Sequence, residues 1–68
     1  MKIFQERLID QRKINKLTQQ QVAQHLGISQ PSYIRYEQGT AEPSYDNLVK
    51  LANLFDVSID YLLGRISF

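Results

Sequence analysis

The chain has 68 residues, no cysteine and a formal net charge of +1. That length holds one small domain with a modest core and leaves no room for a second, and the lack of cysteine excludes disulfide or thiolate staples, which suits a reducing cytoplasm. No apolar run is long enough for a signal h-region or a membrane span, and charges interrupt the opening "MKIFQERLIDQRK", so neither secretion nor membrane insertion is expected.

The charge is unevenly spread. Residues 1–41 carry Lys2, Arg7, Arg12, Lys13, Lys16 and Arg35 against Glu6, Asp10 and Glu37, whereas residues 42–68 carry Lys50 and Arg65 against Glu42, Asp46, Asp56 and Asp60. A negatively charged partner would meet the first half.

From Ile3, the apolar residues Phe4, Leu8 and Ile9 recur at helical spacing and predict a first helix to about Asn15, ending in the polar "NK". Thr18 and Gln21 have the spacing of a capping box, followed by Val22, Ala23 and Leu26 on one face, so a second helix of roughly two turns begins at Gln19. Gly27 directly after Leu26 is the natural left-handed stop. Ser29 then caps a third helix, Gln30 to about Gln38, with Pro31 at its second position, where a missing N–H has no helical acceptor to lose. Gly39 ends it.

"TAEPS" reads as a loop stiffened by Pro43, and Ser44 caps a fourth helix whose Leu48, Leu51, Ala52 and Phe55 fall three and four apart. Val57 and Ser58 open a last short helix with Ile59, Leu62 and Leu63 facing in, and Gly64 ends it. The expected fold class is all-α: five short helices joined by short turns, in one domain over residues 1–64, with 65–68 ("RISF") as a C-terminal tail. The second and third helices, joined at "LGIS", have the steep-crossing arrangement in which the N-terminal end of the second member can enter a groove.

In the third helix Tyr33 and Tyr36 are expected to pack inward, Ile34 on the boundary, and Gln30, Ser32 and Arg35 to make a polar face. Gln matches adenine bidentately and Arg matches guanine or a phosphate, while Ser32 is short enough to reach a phosphate or a base edge. Pro31 offers only apolar contact, for instance with a thymine methyl. A solvated face without a partner is the competing reading. Gln19, where free helix amides favour an anion, is a candidate phosphate clamp or a plain surface glutamine, and Gln38, Gly39 and Thr40 offer amides and side chains to another phosphate.

Arg12 falls on the inward face of the first helix and Glu37 lies beside Tyr36, so a structural ion pair between them is expected. No second carboxylate or nucleophile accompanies Glu37 to make it catalytic, and the single histidine, His25, lacks a ligating companion, so no enzyme chemistry, metal or cofactor is expected. Tyr45, Tyr61 and Phe55 are expected to fill or flank the core.

Over "LTQQQVAQHLGISQPSYIRYEQGTAEPSYDNLVKLANLFDVSIDYLLG" the sequence resembles the Cro/C1-type helix-turn-helix family of phage and bacterial repressors, and the likeness runs from about Phe4 to Gly64. The resemblance implies a lambda-repressor-like, five-helix DNA-binding domain with the helix-turn-helix at helices two and three. It implies that Gln30, Ser32 and Arg35 occupy positions used toward the major groove, that Gln19 and the amides from Gln38 to Thr40 hold phosphates, and that Arg12 pairs with Glu37. It also implies homodimers on palindromic double-stranded DNA with half-sites about one turn, roughly 34 Å, apart. This sequence departs from the family at Pro31, where many members hydrogen-bond, at Ile34, where a small or polar residue is frequent, and in "TAE", where relatives place basic residues. Phosphate affinity per monomer is therefore expected to be modest and dimerisation important.

The reading that follows is a sequence-specific transcriptional regulator, a repressor before an activator, in the cytoplasm at the nucleoid, with RNA polymerase or a regulatory protein as further contacts. A protein-interaction module on the same fold is the alternative, favoured by Glu42 and the low net charge. The tail reads as a natural end, its Phe68 docking on a neighbouring subunit or on the fourth helix.

Overall fold

The computed structural model describes all residues, 1–68. Helices α1 (Lys2–Ile14), α2 (Gln19–Leu26), α3 (Gln30–Gln38), α4 (Tyr45–Phe55) and α5 (Ile59–Leu62) follow one another without strands, within a residue of the expected limits.

Side-chain caps set most of these limits. Thr18 Oγ1 accepts from the Gln21 amide at 3.1 Å while Gln21 Oε1 accepts from the Thr18 amide at 2.8 Å, a complete capping box. Ser29, Ser44 and Ser58 accept in the same way from Ser32, Asn47 and Tyr61. Each such cap stabilises its helix by about 1 kcal/mol relative to alanine. Gly27 ends α2 at φ +71°, and the Ile28 amide returns to the Ala23 carbonyl at 3.0 Å, which brings the chain round sharply into Ser29. A side chain at position 27 would meet open space, so the need for glycine there is one of backbone conformation alone.

Two stops are not glycine. Lys16 follows α1 at φ +58° and Asp56 follows α4 at φ +54°, the Val57 amide closing back onto the Ala52 carbonyl at 3.0 Å.

The helices wrap one core made from Phe4 and Leu8 of α1, Val22, Ala23 and Leu26 of α2, Tyr33 and Tyr36 of α3, Leu51, Ala52 and Phe55 of α4, and Leu62 of α5. Ala23 is buried where α2 crosses its neighbours, and Ile28 in the turn packs against this cluster. Leu48, Val57, Ile59, Tyr61 and Leu63 flank it.

Tyr45 departs from expectation: it is 89% exposed rather than filling or flanking the core. As the first residue of α4, with its side chain tilted toward the helix N-terminus, it projects past the outermost layer of the core. Phe68, 86% exposed, does not dock on α4. The tail is held instead by α1, where Arg7 Nη1 donates to the carbonyls of Tyr61 and Ile66, both at 2.5 Å, with the guanidinium 4.4 Å from the centre of the Tyr61 ring. No helix is long and apolar enough to cross a membrane.

Candidate nucleic-acid interface

Helix α3 is held from behind by one carboxylate. Glu37 is buried, and Arg12 of α1 donates to it through Nε to Oε2 at 2.7 Å and through Nη2 to Oε1 at 3.3 Å. The Tyr33 hydroxyl donates to Oε2 at 2.5 Å from one turn earlier on the same helix, and Gln19 Nε2 of α2 donates to Oε1 at 3.1 Å. Arg12 also reaches the Leu17 carbonyl at 3.2 Å, ahead of α2. The set ties α1, α2 and α3 together and leaves no buried side-chain polar atom unpartnered.

The electrostatics are consistent with a tight cluster. Burial pushes the Glu37 carboxyl up, but hydrogen bonds from Arg12, Tyr33 and Gln19 and the charge on Arg12 outweigh it and hold the group below its ordinary value. The hydrogen bond to Glu37 raises the Arg12 guanidinium further despite desolvation. Burial first, and then the neighbouring Glu37, push the Tyr33 phenol far up, so it stays a donor. The pair that the sequence suggests is thus the centre of a larger arrangement. Tyr33 and Gln19 enter it because they lie one helical turn before Glu37 and at the first residue of α2, respectively.

The opposite face of α3 looks outward. Gln30, Pro31, Arg35 and Gln38 are exposed, and Ile34 is half-buried among them. The side chains of Gln30, Arg35 and Gln38 have no hydrogen-bond or ion-pair partner within the chain. Ser32 differs: it is half-buried, and its hydroxyl accepts from that of Ser29 at 2.9 Å, so part of its capacity serves the N-terminus of the helix.

The candidate phosphate positions divide. Gln19 sits at the start of α2 as expected, but its side-chain amide is directed to Glu37, and because Thr18 takes the Gln21 amide, the backbone amides of Gln19 and Gln20 are what remain for an anion. At the far end of α3 the Gly39 amide donates to the Tyr36 carbonyl at 3.4 Å and the Thr40 amide to the Arg35 carbonyl at 3.0 Å. These amides close the helix, and the Thr40 hydroxyl also reaches the Arg35 carbonyl at 3.5 Å, so Gln38 is left with a free exposed side chain and Thr40 with the remaining capacity of its hydroxyl. Gly39 is called for by its left-handed φ of +79°, and a Cβ there would also displace the end of the Gln5 side chain 2.5 Å away, which donates to the Glu37 carbonyl at 3.3 Å. Asn47 of α4 likewise donates to the Tyr36 hydroxyl at 3.2 Å, a support with no local sequence signal.

This geometry has known counterparts. Residues 8–62 match the family model described as helix-turn-helix. The HTH-type transcriptional regulator YqaE of Bacillus subtilis is 51% identical over 61 residues, covering 90% of this chain and 53% of the relative. The transcriptional repressor RstR of the cryptic phage CTXphi in Vibrio cholerae is 51% identical over 65 residues, covering 96% of this chain and 57% of the relative. The chain therefore spans about half the length of the curated relatives it matches. Among solved structures, the P22 c2 repressor protein in complex with synthetic operator 9T superposes with a TM-score of 0.81 at 30% identity, over 87% of this chain and 89% of that one. With the two-helix turn, its matching core and these relatives in agreement, the chain belongs to the Cro/C1-type helix-turn-helix family.

Proposed function

We propose that this chain binds double-stranded DNA sequence-specifically, reading the major groove with α3, and acts as a transcriptional repressor in the cytoplasm, as a homodimer on an inverted repeat. The observation that carries the reading is the outward face of α3. Gln30, Arg35 and Gln38 are unpartnered there, on a helix that the Glu37 cluster makes rigid from behind. A presented, preorganised row of donors and acceptors is what base readout requires.

The roles follow from chemistry. Gln30 suits adenine, Arg35 guanine or a phosphate, and Pro31 a thymine methyl, while the remaining capacity of Ser32 reaches a base edge or phosphate. The free amides of Gln19 and Gln20 and the exposed side chains of Gln38 and Thr40 flank the groove on the two strands. Support comes from the repressor RstR and from the P22 c2 repressor, which was crystallised with an operator.

Selection of bound duplexes from a random library at two salt concentrations tests this. An enriched inverted repeat, with affinity falling steeply as salt rises, is expected, because neutralised phosphates release counterions. Weak, unenriched binding would instead favour the protein-interaction reading. That reading has its own feature: a groove of about 220 Å³ lined by Met1, Phe4, Glu42, Pro43, Tyr45, Leu48 and Leu63.

A further inference from the structure

Ile34 is the residue on α3 that neither the core nor the proposed polar contacts absorb. It is half-buried, yet it is not among the partly buried side chains that pack against the core, unlike Ile28 and Leu48. It lies four residues after Gln30 and four before Gln38, a spacing that stacks all three along one side of the helix. Pro31, three residues earlier, is its neighbour on the exposed surface. A β-branched side chain also lowers helix propensity slightly, so a helix position outside the core gives it no local advantage.

We infer that Ile34 is a second apolar reader, which together with Pro31 forms a short apolar strip that recognises the 5-methyl groups of thymines in the major groove. This rests on the reading of α3 as the base-contacting helix. The chemistry is specific: in that groove the thymine methyl is the apolar mark that separates T from the other bases, and a branched aliphatic group can bury it while offering no hydrogen bond to a competing base. Gln30 and Arg35 on either side supply the polar contacts that Pro31 and Ile34 cannot make.

The test uses the wild-type chain, Ile34→Ala and Pro31→Ala against the duplex that the wild type selects, with each thymine replaced in turn by deoxyuridine, which lacks only the methyl. At one thymine in each half-site the replacement should weaken the wild type about fourfold, the equivalent of about 0.8 kcal/mol for one buried methyl-sized group. Ile34→Ala should lose that sensitivity, while Pro31→Ala keeps it and loses instead the sensitivity at a second thymine, the one that Pro31 covers. Thermal unfolding should show Ile34→Ala as stable as the wild type to within a few degrees, because the side chain lies outside the core. A selected half-site with no required thymine, or methyl effects that Ile34→Ala leaves unchanged at every position, would overturn the inference while leaving the major-groove reading standing. Failure of the wild type to enrich any site would overturn both.

Discussion

Glu37 shows how a single side chain can serve the site without facing it. Its carboxylate accepts from Arg12, Tyr33 and Gln19, and the hydrogen bonds hold it ionised against burial. A depressed folded-state value fixes the sign of the pH dependence. Above about 4.5, the ordinary value, the carboxyl is ionised in both states and the stabilisation is complete; as pH falls from there through the folded value it is lost, because the unfolded chain takes up the proton first. Tyr33→Phe removes one donor to this charge and should cost about 1.5–3 kcal/mol near neutral pH, the range for hydrogen bonds to charged groups. The deficit should shrink below the folded value, where Glu37 is protonated in both proteins. Thermal unfolding of the two proteins between pH 2 and 7 reads this directly, and a deficit that stays constant across the range would mean that the phenol does not act on the carboxylate's charge.

Between elements, what the sequence discloses depends on whether the signal is local. The starts of α2, α3, α4 and α5 and the stops at Gly27 and Gly39 are legible because a cap is written in neighbouring residues, whereas α5 is capped at Leu63, one residue before Gly64. The Arg12–Glu37 pairing is legible too, through the inward faces of two helices, but Gln5 beneath Gly39 and Asn47 on Tyr36 join segments distant in the chain, with no spacing to announce them. Tyr45 misleads because it continues the apolar spacing of α4 one step beyond the layer that the core can cover. The left-handed residues Lys16 and Asp56 are hidden for the opposite reason, being ordinary side chains in a conformation that favours glycine. Asp56 also places a negative charge at the C-terminal end of α4, where the helix dipole disfavours it. Asp56→Gly should therefore stabilise by about 1 kcal/mol, the conformational gain exceeding glycine's extra unfolded-state entropy. That corresponds to a melting temperature about 4–8 °C higher for a domain of this size. Asp56→Asn, which keeps a side chain tolerant of this region but removes the charge, should gain only the dipole part. A melting temperature that does not rise in the glycine variant would show that the stop carries no strain to relieve.

Across the whole molecule, reading and holding together fall to different parts. The outward face of α3 belongs to the half with excess positive charge, whereas α5 and the tail, in the acidic half, are closed onto α1 by Arg7. Arg7 bridges 54 residues to the Tyr61 carbonyl and 59 to that of Ile66, and its guanidinium lies over the Tyr61 ring, so one side chain joins the two ends of the chain. In so small a domain, with few buried residues to share the load, the loss of such a long-range tie is felt throughout. Arg7→Ala should cost about 1.5–3 kcal/mol, lowering the melting temperature by about 4–8 °C for each kcal/mol. Arg7→Lys should recover only part of this, because a point charge reproduces neither the planar stacking on Tyr61 nor the fork of donors. Both variants leave the side chains of α3 untouched, so the duplex sequence each one selects should match that of the wild type even where its affinity falls with the folded fraction. A changed sequence preference in Arg7→Ala would show that the closure of the two ends also sets the position of α3, and stability and readout could then no longer be assigned to separate parts of the fold.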